Sequence, residues 1–311
     1  MSALFTSALA ASAEAASGQH YPQSTLYVVA TPIGNLADIS LRALHVLGLC
    51  DAIACEDTRH TQALLRAYGV DKNSGQLIAV HQHNEAQAAH TVIDHLRQGQ
   101  RVAYVSDAGT PGISDPGARL VAAVHAQGLR TLPLPGPSSV TTLLSVAGIA
   151  EDNAHSGGFV FIGFLPTKSG ERDKAVQVLA TQERAAVILE APHRIEALAQ
   201  ALAALGPRKV TVGRELTKQF EEIATVTAEG LTAWLDADAN RLRGEFALVL
   251  HPAPPAEQSG PDTRILKLLL EQLPLKTAVK LAADITGEPR NTLYEIALAM
   301  KENGADSDSA S

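Results

Sequence analysis

From Thr25 onward, short apolar runs alternate with stretches in which apolar residues recur every third or fourth position. Leu26–Ala30, Ala52–Ala54, Leu77–Val80, Val102–Val105 and Leu129–Leu132 read as strands buried on both faces, since they are continuously apolar rather than alternating. The segments near Ile39–Leu47, Thr61–Tyr68, Glu85–Gln98 and Ala118–Gln127 carry helical spacing. Strand and helix in alternation predict a mostly parallel sheet, and such sheets take ligands at the carboxyl ends of their strands. Here Ala30, Ala54, Val80, Val105 and Leu132 are each followed by a polar or Gly/Pro-rich segment, so five loops converge on one edge.

A polar break at Glu151–Gly158 precedes a second set of strands, expected at Phe159–Phe164, Ala185–Leu189, Val210–Gly213, Ile223–Thr227 and Phe246–Leu250. Four prolines between Pro252 and Pro261 mark a linker, after which Leu266–Leu273, Leu275–Ile285 and Leu293–Met300 are helical. The pattern thus divides into a disordered tail (1–23), two α/β domains (24–150 and 151–251), a linker (252–260), a helical appendage (261–301) and a second disordered tail (302–311).

Composition narrows the function. Forty-six per cent apolar residues in a chain of 311 suit a globular protein, and a net charge of −8 excludes nucleic-acid binding by bulk positive field. Any RNA contact must come from a local patch. Residues 1–260 hold 19 basic and 25 acidic residues, a net of −6, whereas Arg264, Lys267, Lys276 and Lys280 face only Glu271. Cys50 and Cys55 are too few for a disulfide framework and lack zinc-site spacing. The Ala-rich N-terminus has no Lys or Arg before Arg42 and does not read as a signal peptide; the longest uncharged stretch, Thr131–Ala150, is interrupted by prolines and does not read as a membrane span. A cytoplasmic protein without a membrane segment is expected.

The loops carry the candidate chemistry. Thr31–Leu36, with Pro32 and Gly34, is not a phosphate loop, and neither the P-loop nor the dinucleotide fingerprint occurs anywhere. Ser106–Gly117 packs three glycines, two prolines and two aspartates into twelve residues, a loop costly to order unless it wraps a ligand. Its carboxylates and backbone groups suit a sulfonium bearing an amino-acid tail and an adenosine. Pro133–Ser139 adds the hydroxyls of Ser138 and Ser139 at an expected helix start. Glu56-Asp57-Thr58-Arg59 offers two carboxylates and a guanidinium, read either as catalytic groups or as a helix N-cap with a local ion pair. His81 and His83 have no obvious third ligand beside them, so no metal is expected.

The strings LYVVATPIGNLADISLRAL, CEDTRHTQALL, HQHNE, SDAGTPGISDPG, LPLPGPSSVTTLLSVAG, APHRI, GRELTKQFEEI and GEFALVL occur in an order that resembles the ribosomal RNA small subunit methyltransferase I family. The likeness runs from about Thr25 to Met300; Gly112 and Ala191 depart from the usual family residues. It implies the two-domain tetrapyrrole-methylase fold, S-adenosylmethionine as cofactor, a homodimer, and 2′-O-methylation of a cytidine in 16S ribosomal RNA of the small subunit. Carried onto this chain, Glu56, Asp57 and Arg59 are the catalytic candidates. Pro32, Gly34, Asp107, Gly109, Thr110, Pro111, Gly136, Ser138, Ser139 and Glu190 are expected to bind the cofactor; His83, Lys168, His193, Arg194, Arg214, Lys276 and Lys280 are expected to bind substrate. Two other readings stand beside this one: a small-molecule methylase acting on a tetrapyrrole, and a ligand-sensing regulator with a DNA-binding helical tail.

Overall fold

The computed structural model describes residues 6–81, 84–113, 115, 117–149, 158–253 and 263–305. The first α/β region runs α1 (Thr6–Ala16), β1 (Thr25–Val29), α2 (Leu41–Leu49), β2 (Ala52–Cys55), α3 (Thr58–Tyr68), β3 (Leu77–Ala79), α4 (Glu85–Arg97), β4 (Arg101–Val105), α5 (Gly117–Ala126), β5 (Arg130–Leu134) and α6 (Ser139–Val146). The second comprises β6 (Phe159–Gly163), α7 (Ser169–Ala180), β7 (Ala185–Glu190), α8 (Ile195–Leu202), β8 (Lys209–Arg214), β9 (Glu222–Thr227), α9 (Leu231–Asp236) and β10 (Phe246–Leu250).

The first sheet has the order β3-β2-β4-β1-β5 and every pairing in it is parallel. Its register sets Val29 beside Val105 and Leu134, and Cys55 beside Val105 and Ala79, so the strands end at one level and their loops share one edge. Separate apolar clusters cover the two faces, one around Leu44, Leu47, Ile53 and Tyr68, the other around Val92, Leu96, Tyr104 and Leu120. This is why the strands read as continuous apolar runs. Cys50 and Cys55 are both free thiols within it. Burial pushes them up to about 12 and about 11, so they behave as inert core groups.

The second sheet, β6-β7-β10-β8-β9, pairs β6 with β7 in parallel and is otherwise antiparallel. Both sheets fall within one compact unit ending at Pro252. They are joined by a shared core in which Ile33, Val140 and Leu143 meet Val187, Leu216, Ala247 and Val249. The other compact unit contains the helices α10 (Thr263–Gln272), α11 (Leu275–Thr286) and α12 (Arg290–Ala305), packed around Leu266, Val279, Ala282, Leu293 and Ala297.

Three sequence expectations need correction. The disordered tail expected over 1–23 does not hold for Thr6–Ala16, which form α1; its Ala8 and Leu9 pack on the core of the first sheet and its Ser12 is buried. The stripe is made of small residues, which hydrophobicity alone undervalues. The strand expected to stop at Leu132 continues through Pro133 to Leu134, because β5 is an edge strand and needs no ladder donor there. Helix α12 runs to Ala305, past the expected start of the tail at 302. The expected linker from 254 onward lies outside the described residues.

Candidate functional site

The loops after β1 and β4 are tied into one surface. Thr31 and Gly109 exchange both backbone hydrogen bonds at 3.0 Å, and the Thr110 hydroxyl donates to the Pro137 carbonyl at 3.0 Å. Gly109 adopts φ 84°, a conformation glycine takes without strain, and a side chain there would press on Ile33. With its N–H and C=O both used by Thr31, Gly109 shapes the loop rather than offering backbone groups to a ligand, as the sequence had suggested. Gly136 permits close approach: a Cβ there would lie 2.8 Å from that of Ala30. Asp115 is a staple. Its carboxylate accepts the Gly112 N–H at 2.6 Å, the Gly117 N–H at 2.7 Å and the Tyr104 hydroxyl at 3.0 Å, so much of the order in this loop is internal.

The end of β2 interlocks with the same loop. Asp57 N–H donates to Asp107 Oδ1 at 3.2 Å, while the Asp107 N–H donates to the Glu56 carboxylate. Burial, with the charges of Asp107 and Asp115, pushes the Glu56 carboxyl up to about 7. Glu56 can therefore exist in either protonation state near neutral pH. Asp57 is the N-cap of α3, accepting from the Arg59 and His60 N–H groups at 2.8 and 3.3 Å. The hydrogen bond from the Arg59 side chain, followed by those two backbone bonds, holds its carboxyl below the usual range. Arg59 pairs with Asp57 at 3.2 Å and is 92% exposed, so it presents its charge to solvent rather than into the cleft. The cap and the local ion pair are both found at this loop, made by Asp57, while Glu56 is left as a titratable acid.

Two adjoining cavities open between these loops and the second sheet. The first, of about 400 Å³, is lined by Pro32, Gly34, His60, Asp107, Lys218 and Glu245 among others. The second, of about 360 Å³, is lined chiefly by Ile113, Ser139, Phe164, Leu189, Glu190 and Phe246. Ile33, Ala108 and Glu245 border both. Of the residues expected to bind cofactor, Pro32, Gly34, Asp107, Ser139 and Glu190 line these cavities; Gly109, Thr110, Pro111, Gly136 and Ser138 shape the loops behind them.

The opposing wall is built by the turn after β8. Glu215 and Thr217 hold φ of 51° and 66°, left-handed values that non-glycine residues rarely adopt. The strain places Lys218 Nζ 2.8 Å from Glu215 and 3.0 Å from Glu245, and sets its stem where a Gly34 side chain would stand. Burial works against the Lys218 charge, yet the hydrogen bonds to Glu215 and Glu245 raise its pKa above the ordinary value. Arg214 requires correction: it is buried and donates to the carbonyls of Arg243 and Phe220 at 2.7 and 3.1 Å, which braces this turn instead of reaching substrate. Arg194 is likewise committed, pairing with Glu190 at 3.0 Å and donating to the Leu165 carbonyl. His193 is exposed in the short turn just ahead of α8, and Lys168 pairs on the surface with Glu171. His83 lies outside the described residues. Lys276 and Lys280 are exposed one turn apart on α11.

Sequence reasoning missed His60, Phe164, Leu216 and Glu245. Spacing could have flagged only His60, one turn into α3 beyond the Glu56 loop; the others reach the cleft through strand pairing. Among the described residues no three His, Cys, Asp or Glu side chains are grouped to hold a metal, and no helix is long and apolar enough to cross a membrane.

The profile of the tetrapyrrole (corrin/porphyrin) methylases matches residues 25–232, and one described as the RsmI C-terminal HTH domain matches residues 256–301. A solved cobalt precorrin-4 methyltransferase superposes with a TM-score of 0.54 at 16% identity, over 73% of this chain and 94% of that one. Two facing α/β layers with a cleft of strand-end loops define a methylase of the tetrapyrrole type. Among curated relatives, ribosomal RNA small subunit methyltransferase I of Neisseria meningitidis serogroup B is 47% identical, spanning 89% of this chain and 94% of the relative. Its counterpart in Escherichia coli O157:H7 is 45% identical, spanning 89% and 95%. The chain belongs to this ribosomal RNA small subunit methyltransferase I family.

Proposed function

We propose that this protein transfers a methyl group from S-adenosylmethionine to the ribose 2′-hydroxyl of a cytidine in 16S ribosomal RNA of the small subunit. The observation that carries the reading is identity of 45–47% along nearly the whole chain to relatives named for methylation of that subunit. The cleft fits the cofactor: a largely apolar cavity bordered by Glu190 adjoins one in which Asp107 supplies negative charge toward a cation, and Glu245, paired with Lys218, borders both.

When bound, the cofactor supplies an electrophilic methyl group on a sulfonium. Pro32, Gly34, Asp107, Ser139 and Glu190 hold it, while Ile33 and Leu216 exclude water from the cleft. Transfer to a hydroxyl needs alignment and removal of a weakly acidic proton. Glu56, poised near neutrality behind Asp107, is the group suited to take it. Asp57 fixes the start of α3 so that His60 reaches the cavity wall, and Arg59 stands ready at the rim for an RNA phosphate. Lys276 and Lys280 supply further phosphate contacts from the helical unit.

The protein works as a cytoplasmic homodimer in this reading. Strand β6 supports the assembly, since it is a sheet edge with Phe159, Phe161 and Ile162 exposed along it. Light scattering at micromolar concentration should give twice the chain mass. The deciding experiment incubates the protein with labelled S-adenosylmethionine and either unmethylated small subunits or a precorrin. Label recovered in a ribose-methylated cytidine supports the proposal, and transfer to the precorrin alone defeats it. Glu56→Gln should lower turnover at least about tenfold with RNA and cofactor still bound.

A further inference from the structure

Helix α3 presents two faces beyond the one it buries. Leu65 and Tyr68 sit in the core of the first sheet, while His60, Ala63, Leu64 and Ala67, at the i, i+3, i+4 and i+7 positions of a neighbouring face, line the cavity that also contains Asp107. From His60 to Ala67 the helix rises about 10 Å, so this cavity is a groove that leaves the strand-end loops and follows α3 for two turns. Ala63 and Ala67 keep its helical wall low opposite the loop 32–36. On the outward face lie Arg59, Ala63 and Arg66, all exposed and four and three residues apart. Thr58–Tyr68 contains no acidic residue, in a chain of net charge −8. Arg59 pairs with the cap Asp57, and among the described residues Arg66 has no ion-pair partner.

Helix stability does not account for this pair of charges. A cation in the last turn gains from the helix dipole, which suits Arg66, but Arg59 stands in the first turn, where the dipole disfavours it. Guanidinium forks on the outside and a groove of small and apolar residues beside them fit a polyanion that carries flat bases. A cavity of about 400 Å³ admits a nucleotide and not a duplex. We infer that the groove along α3 carries the single-stranded RNA segment that leads the acceptor cytidine into the cleft, with Arg59 and Arg66 on two of its phosphates. The inference rests on the ribosomal RNA reading above and names where the strand enters. An acidic protein would answer the two arginines but leave the groove unfilled.

Methyl transfer to unmethylated small subunits, with calorimetry of S-adenosylhomocysteine beside it, separates the groove from the cofactor site. Arg66→Ala should raise KM for the subunit about threefold or more with kcat kept. Arg59→Ala and Arg66→Ala together should lower the slope of log subunit affinity against log salt by about 1.4, at about 0.7 for each phosphate contact on a single strand. Ala63→Phe fills the groove from an exposed helix position and should lower kcat/KM at least about tenfold, while S-adenosylhomocysteine binds within about twofold. Arg130→Ala removes an equally exposed charge at the start of β5, the far end of the first sheet from the loops, and should change none of these. An Arg66 or Ala63 variant that behaves like Arg130→Ala overturns the inference, as does an Ala63→Phe variant whose cofactor affinity falls with its turnover. Affinity lost for subunits but kept for extracted 16S ribosomal RNA would mean a protein partner, and overturns it too. Failure of the native protein to label small subunits overturns instead the reading on which it rests.

Discussion

At the scale of single residues, the site is a set of groups whose neighbours decide what they can do. Glu56 shows the sign of such control. Its carboxyl rises from 4.5 to about 7, so between these values the folded chain binds protons that the unfolded chain has released. The stability it contributes is complete below the unfolded value and is lost as pH climbs through about 7. Glu56→Gln should therefore melt progressively higher than the native protein as pH rises from about 5 to about 8, with no such gain near pH 4. Parallel melting curves across that range would show that the carboxyl is not perturbed. Gly109 illustrates a steric version. Alanine at φ 84° beside Ile33 should cost about 1–2 kcal/mol in urea unfolding, arising from backbone strain rather than from a blocked ligand.

At the scale of elements, α1 and α3 carry opposite lessons. Asp57→Ala removes the cap of α3 and should lower stability by about 1 kcal/mol, which denaturant titration can resolve. Helix α1 precedes the residues matched by the methylase profile, yet Ala8, Leu9 and Ser12 seat it on the first domain. Deleting residues 1–17 should lower the melting temperature while leaving S-adenosylhomocysteine affinity within about twofold, since α1 lines neither cavity. The strands were legible because buried parallel strands are continuously apolar, as in Val102–Val105; α1 was not, because an alanine stripe looks the same in a helix and in a tail.

At the scale of the whole molecule, charge is uneven, and the helical unit can be tested separately from the cleft. Changing Lys276 and Lys280 together to Ala should weaken RNA binding and reduce the slope of log affinity against log salt by about one to two, with cofactor affinity unchanged. An unaltered slope would remove α11 from the RNA surface. Chelator treatment should leave methyl transfer intact, because the reaction needs no Lewis acid; loss restored by one specific divalent ion would refute that.

What the sequence determined by itself was local: the strand-helix order and the five loops at one edge follow from period and turn residues read along the chain. Only the tertiary structure decided which groups remain available. Arg214 reads from sequence as a substrate contact, and the second sheet turns it inward to brace a strained loop. Asp115 reads as a charge for the cofactor, and its three hydrogen bonds spend it on the loop. Glu245 and Phe164 reach the cleft from strand ends far from the first domain's loops in sequence. The reason is physical: propensity and periodicity act over a few residues, whereas burial, charge pairing and unmet hydrogen bonds depend on neighbours brought together by chain reversal.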